Sequence, residues 1–189
     1  MIGLVIFLAV VLVLLLYFTK IYNNLVSLRE NVKKAWSNID VLLKQRHDEL
    51  PKLVETCKQY MQFEQETLER VMQARAAVAT AREQGDVAGV GAAEGALRMG
   101  LGKLFAVVEN YPELKADEGF EHLRQRITGI EESIADRREF YNDGVNLNNV
   151  RIAQIPDVIV AGMFGFKGAE LLEYSEAETA DVDMKELFE

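Results

Sequence analysis

From Ile21 a stripe of apolar residues runs along the chain in alternating steps of four and three: Ile21, Leu25, Leu28, Val32, Ala35, Ile39 and Leu42. That spacing places every one of these side chains on one face of a helix. After a slip of one residue the stripe resumes at Leu43, His47, Leu50, Val54, Cys57 and Met61. A looser continuation through Leu68, Val71, Ala74 and Val78 carries it to about Arg82. Read as one helix, the stretch would be about 95 Å long at ~1.5 Å per residue. One amphipathic stripe of that length cannot bury itself, so the fold must supply partner helices. Pro51 removes one backbone hydrogen bond inside the stripe, which predicts a bend or a change of packing partner between residues 42 and 51. Trp36, next to the stripe, reads as a bundle-core residue.

Residues 2 to 18, IGLVIFLAVVLVLLLYF, are uninterrupted apolar sequence. As a helix they would be roughly 25 Å long, the short end of a transmembrane span. A secretory signal would carry Lys or Arg before the apolar run and small residues at a cleavage site, and this run has neither. Tyr17, Phe18 and Tyr22 cluster where the run ends, as residues of an interfacial aromatic belt do, and Lys20 can extend toward headgroups. Lys20, Arg29, Lys33 and Lys34 follow the span with no basic side chain before it. The positive-inside rule therefore predicts a single-pass anchor with the body of the chain in the cytoplasm.

Helical periodicity continues beyond the stripe. The segment QGDVAGVG, residues 84 to 91, has the glycines and lost periodicity of a loop. Residues 92 to 109 restore a stripe with Leu97, Leu101, Leu104, Phe105 and Val108, and Gly95, Gly100 and Gly102 predict a close approach to the long helix. Pro112 breaks this segment, and Asp117 is placed to cap the next. There Phe120, Leu123, Ile127, Ile130, Ile134, Tyr141, Val145, Ile152 and Ile155 keep three-four spacing, with Arg137 and Asn148 in the two missing core positions. Asn148, with its neighbours Asn142, Asn146 and Asn149, is of the type that fixes register between helices. Pro156 ends this helix.

Residues 158 to 166, VIVAGMFGF, carry no charge and are too short to span a bilayer. Their apolar side chains would face all sides of a helix, so the segment is expected in the bundle core or against lipid or another subunit. Val158, Ile159, Met163, Phe164 and Phe166 are the candidate membrane or subunit contacts. Gly162, Gly165 and Gly168 would allow close approach or flexing. The chain thus divides into an anchor at residues 1 to 19, a helical bundle at 20 to 174 and an acidic tail at 175 to 189.

The net charge of −9 argues against nucleic-acid binding, which needs a clustered basic face. One cysteine, Cys57, excludes an intramolecular disulfide and a Cys-cluster metal site. The Glu-x-x-His pairs of di-metal bundles are missing, because Lys44 and Gly119 stand three residues before His47 and His122. His47, on the core-facing stripe, reads as a hydrogen-bonded structural histidine. Gly102-Lys103 fails as a phosphate loop, with Leu104 where a magnesium-binding hydroxyl belongs and Leu97 where the first glycine must turn. Cys57 on an apolar stripe is expected to be buried with a raised thiol pKa. Glu64, Glu66 and Glu69 read as a solvated face. No catalytic residue and no cofactor is expected.

The stretch YNNLVSLRENVKKAWSNIDVLLKQRHDELPKLVETCKQY, followed by ENYPELKADEGFEHL, RREFYND and the final IP with FGF, resembles the LemA family of bacterial membrane-associated proteins. Asn23, Trp36, Asp40, Arg46, Pro51, Tyr111, Pro112, Leu114, Tyr141, Asn142 and Pro156 carry the resemblance. Leu147 departs from it, standing where relatives usually have the Tyr of a second Tyr-Asn pair. The resemblance implies an all-α protein: an N-terminal transmembrane helix followed by a long-helix, up-and-down four-helix bundle, without established catalytic residues. Some relatives resemble a magnetosome protein involved in forming that membrane compartment. Others are lipoproteins, but the lipobox cysteine is missing here.

Two functional readings follow. The first is a scaffold in the bacterial inner membrane, with lipid and further copies of itself as partners. The second is an adaptor that docks a client, such as a membrane peptidase or sensor, through the bundle or the acidic tail with its Leu187-Phe188 pair. If the helices alternate strictly, the Phe120 helix runs back up beside the long one and the segment after Pro156 comes down. If the Ala92 and Phe120 helices both descend, the segment after Pro156 arrives near the bilayer.

Overall fold

The computed structural model describes residues 1 to 174, so the tail and its Leu187-Phe188 pair lie outside the described residues. Among the described residues the chain is all α, with no strand. Its helices are α1 (Ile2–Tyr60), α2 (Gln65–Gln84), α3 (Val87–Val108), the single turn α4 (Pro112–Lys115), α5 (Glu118–Ala153) and α6 (Asp157–Phe164). Two compact units form. One comprises Met1–Ile39 and Asp136–Leu171, the other Asp40–Ala135 and, among the described residues, 172 to 174.

In the second unit the stripe does not continue as one helix to Arg82. Helix α1 passes through Pro51 and ends at Tyr60, and α2 folds back along it. Folding back lets Leu68, Val71 and Val78 bury against Leu50, Val54, Cys57 and Met61, so the chain supplies the partner that the stripe requires. Arg75 ties the two helices together, donating from Nε to the His47 carbonyl at 2.8 Å and from Nη2 to His47 Nε2 at 2.6 Å. Farther along, Arg82 pairs with Asp40 at 2.8 Å.

The expected loop at residues 84 to 91 contracts to two residues. Gly85 adopts φ +68°, and the Gly85 and Asp86 amides close the end of α2 on the Arg82 and Ala81 carbonyls. Asp86 then caps α3 by accepting from the Gly89 amide at 2.8 Å. Leu97, Leu101, Leu104 and Val108 of α3 and Phe120 and Ile127 of α5 complete the core. Asp117 caps α5 as expected, accepting from the Phe120 amide at 2.8 Å and from Tyr60 Oη at 3.1 Å. These hydrogen bonds hold its carboxyl below the ordinary range.

Helix directions in this unit follow from its contacts. Arg75 meets His47 and Arg82 meets Asp40, so α2 is antiparallel to α1. Glu131 meets Arg46 while Asp117 meets Tyr60, so α5 is also antiparallel to α1. The helices alternate strictly, as an up-and-down four-helix bundle requires.

The register of the bundle is set by a charge at its centre. Arg46 is 1% exposed and donates to Glu94 of α3, also 1% exposed, and to Glu131 of α5. Burial pushes the Glu94 carboxyl above its ordinary range, against the opposing pull of the Arg46 guanidinium. Glu49, one turn along α1, is likewise buried and pairs with Lys52 and Arg126, both at 3.1 Å. The core-facing residue of this turn is therefore Arg46, and His47, expected on the stripe, lies at its edge. Arg137, expected in the core, is exposed, and Arg138, four residues after Ile134 and three before Tyr141, is the half-buried residue of that turn.

Gly95 is buried in α3, but Gly100 and Gly102 differ from expectation. Gly100 packs against Val71 of α2, and a Cβ at Gly102 would meet open space. The close approach occurs at Gly91, where a Cβ would collide with the Glu173 carbonyl. Leu172 is buried in this unit, and Tyr174 lies under the Arg98 guanidinium, 5.4 Å from its ring centroid.

Removing the guanidinium strands the buried Glu94 carboxylate and leaves the half-buried Glu131 with Arg98 alone among the described residues, at 3.8 Å. Arg46→Ala is expected to cost about 3–5 kcal/mol in urea unfolding followed by circular dichroism. Arg126→Ala, at an exposed ion-pair partner, is expected to cost under about 1 kcal/mol. Equal costs would show that Arg46 is not the central tie.

Candidate membrane-interface site

The first part of α1 is a helix long and apolar enough to cross a membrane, and none of its 18-residue apolar window is buried within the protein. Directly after it, in the first unit, Ile21 and Leu25 pack against Val160 and Ala161 of α6. Helix α6 arrives there because α5 runs antiparallel to α1 in this unit. Trp36 lies 5.4 Å from Tyr141, and Ile152 joins the cluster around Ile21. Thus the segment after Pro156 reaches the end of the apolar run through alternating helices, without a second descending helix.

Four of the expected contact residues meet at this point. The Tyr22 ring stands 4.7 Å from Phe164 and 5.8 Å from Phe166, and Phe18 stands 6.1 Å from Phe164. Such tilted ring pairs contribute about 0.5–1.5 kcal/mol each beyond their buried area. Arg29 lies over the Phe166 ring at 5.4 Å. Tyr17 and Lys20 remain exposed and outside the ring cluster. Val158, Ile159 and Met163 lie on the uncovered side of α6, with Met163 67% exposed. Helix α6 is therefore two-faced: Val160 and Ala161 turn inward, and the other face presents an apolar surface.

Short-range chemistry locks α6 in place. Asp157 in its first turn is buried and pairs with Arg151 at 2.8 Å, an acidic group at the favourable end of the helix dipole. Gly165 takes φ +68°, which a side chain rarely adopts, and lets the Phe166 amide close on the Ala161 carbonyl at 3.0 Å. A Cβ at Gly162 would meet nothing within 4 Å, so the close approach expected there does not occur within this chain.

The strap after α6 is held by a residue that the periodicity only hinted at. Asn149 Oδ1 accepts from the Ala169 amide and Asn149 Nδ2 donates to the Ala169 carbonyl, both at 2.9 Å. Tyr141 Oη donates to the Glu170 carbonyl at 2.9 Å. The neighbouring Asn148, buried as expected, makes a longer contact of 3.5 Å with the Lys167 carbonyl. Asn149 therefore fastens non-helical backbone and not a partner helix. The run of asparagines signalled it, but its two-bond grip on a non-helical backbone has no periodic signature.

Cys57 in the other unit is fully buried, and burial pushes its thiol up to about 12. His47 is held below its ordinary pKa by burial and by the Arg75 guanidinium. Among the described residues no group of three or more His, Cys, Asp or Glu side chains could hold a metal ion.

The LemA family model matches residues 35 to 185. The chain is 27% identical over 191 residues to magnetosome proteins MamQ 1 and MamQ 2 of Paramagnetospirillum magneticum, a match that covers 89% of this chain and 70% of each relative. It is 24% identical to magnetosome protein MamQ of Magnetospirillum gryphiswaldense, with the same coverage.

Asn149→Ala is expected to release the strap. Loss of two hydrogen bonds of about 1 kcal/mol each should speed amide exchange at Ala169 by roughly tenfold or more, while amides in α2 and α3 stay unchanged. Unaltered exchange at Ala169 would refute the assigned grip. With a pKa of about 12, only about one Cys57 thiol in ten thousand is ionised at pH 8. The folded chain should therefore resist a disulfide reagent that labels it rapidly in denaturant.

Proposed function

The chain belongs to the LemA family, and on that footing we propose that it is a non-enzymatic, membrane-anchored scaffold of the bacterial envelope that self-associates to organise or shape membrane. The observation that carries this reading is the uncovered apolar face of α6, seated beside the residue where the apolar run of α1 ends. Two apolar elements of one chain then meet the same bilayer surface. The first part of α1 crosses it, and α6 lies at the headgroup boundary with Ile159, Met163 and Phe164 toward the acyl chains. Inserting a short helix beside a span widens the protein's footprint in one leaflet, which couples the scaffold to membrane shape.

Charge supports the same placement. Lys20 is exposed just past the apolar run, suited to anionic headgroups, and the basic residues that follow the run make that side of the membrane the cytoplasmic one by the positive-inside rule. The match to proteins named for the magnetosome supports a role at a membrane. A buried, high-pKa thiol and a histidine engaged by arginine favour a structural role over a catalytic one.

The membrane placement is tested by moving the tryptophan. The full chain carrying Trp36→Phe and Phe164→Trp, reconstituted into vesicles with brominated acyl chains, is expected to show strongly quenched fluorescence. Fluorescence equal to that in unbrominated vesicles would refute the seating of α6. Self-association is tested by light scattering in mild detergent on the full chain and on a chain starting at Lys20. A discrete assembly that collapses without the apolar run is expected, and a monomer in both preparations would overturn the scaffold reading.

A further inference from the structure

Within the first unit α1 and α5 run side by side, and the open groove between them has a volume of 510 Å³. Its walls carry three charged side chains, Lys34 of α1 and Arg137 and Asp143 of α5, together with Leu28 of α1 and Phe140, Gly144 and Leu147 of α5. Phe140 is 63% exposed and Leu147 57% exposed, large apolar costs for a surface with nothing to cover it. Phe140, Gly144 and Leu147 follow steps of four and three, the spacing of a seam that receives another helix. Gly144 keeps the floor of the seam low, with Val32 only 3.7 Å from where a Cβ would stand.

The charges on the groove indicate what enters it. Trp36 stacks near Tyr141 and Val32 lies under Gly144, so positions rise along α1 as they fall along α5. Lys34 therefore stands about level with Asp143. Both side chains are exposed, and neither has an ion-pair partner among the described residues. Consider two copies related by a two-fold axis along the bilayer normal. Rotation about that axis preserves height, so each Lys34 meets the other copy's Asp143, and both pairs form together. A copy docked upside down loses this match. The groove also begins only ten residues past Phe18 on the same continuous helix, roughly 15 Å at the helical rise. Copies anchored in one bilayer hold their grooves at the same height and at high effective concentration.

We propose that a second copy of this chain docks in the α1–α5 groove, side by side and in the same orientation, so that α1 and α5 of both copies form a four-helix layer. Phe140 and Leu147 are its apolar anchors, and reciprocal Lys34–Asp143 pairs set its direction. This interface rests on the self-associating, membrane-anchored reading above and identifies the surface that such association uses.

The test uses the full chain in mild detergent, with mass from light scattering and thermal melting by circular dichroism as a check on folding. Phe140→Glu with Leu147→Glu is expected to convert the wild-type assembly to a smaller species. Lys34→Glu is expected to weaken association about tenfold, and adding Asp143→Lys should restore it. Restoration by the charge swap cannot arise from damage to the fold, because both residues are exposed. A wild-type assembly that persists unchanged in all these variants would overturn the groove as the interface while leaving self-association intact. A monomeric wild type would overturn the interface and the scaffold reading together.

Discussion

The guanidinium of Arg46 is the point on which the four-helix unit turns. A charge taken so far from water is tolerated only where carboxylates meet it, and those come from α3 and α5, helices far apart in sequence. Only one register of the three helices brings Glu94 and Glu131 to the same side chain. Apolar residues around them are interchangeable to a degree, since a leucine stripe can slide by a turn at modest cost. A buried arginine cannot slide. The ion pairs therefore contribute more to which bundle forms than to how stable it is.

The first unit is organised differently. Its helices are fewer and its apolar cluster is small, with Ile21 and Leu25 covered by Val160 and Ala161. Aromatic contacts and backbone hydrogen bonds take over where core volume is lacking. Asn149 and Tyr141 fasten an irregular strap, and Asp157 and Gly165 fix the two ends of α6. What remains uncovered is consistent in character: the apolar run, the outer face of α6 and the seam along α5. A protein that leaves these surfaces bare is suited to lipid and to other helices. This is the physical content of the scaffold reading for a member of the LemA family.

Much of this was legible in the residue pattern because helices are local structures. The three-four spacing of Ile21, Leu25, Val32, Ala35 and Ile39, the cap at Asp117 and the break at Pro156 each depend on neighbours within a turn or two. Cys57 could be assigned to the core for the same reason. Pattern and structure diverge where the pattern is ambiguous or the deciding partner is distant. The stripe from Leu68 to Val78 looks the same whether it extends α1 or folds back on it. His47 and Arg46 are adjacent, and an arginine looks like a surface residue until Glu94 and Glu131 are seen to face it.

By itself, the sequence determined the helical class, the apolar run, the helix ends at strong capping residues and the absence of periodic signatures for metal or phosphate chemistry. Each of these is set by side-chain type and spacing over a few residues, so no distant contact can change it. Tertiary structure alone decided that the chain turns back at Tyr60, that Arg46 is central, that Asn149 carries the strap, and that α6 meets Phe18 and Tyr22. Those outcomes depend on which surfaces meet after the chain has doubled back, and a linear pattern gives every helix an apolar face without specifying its partner.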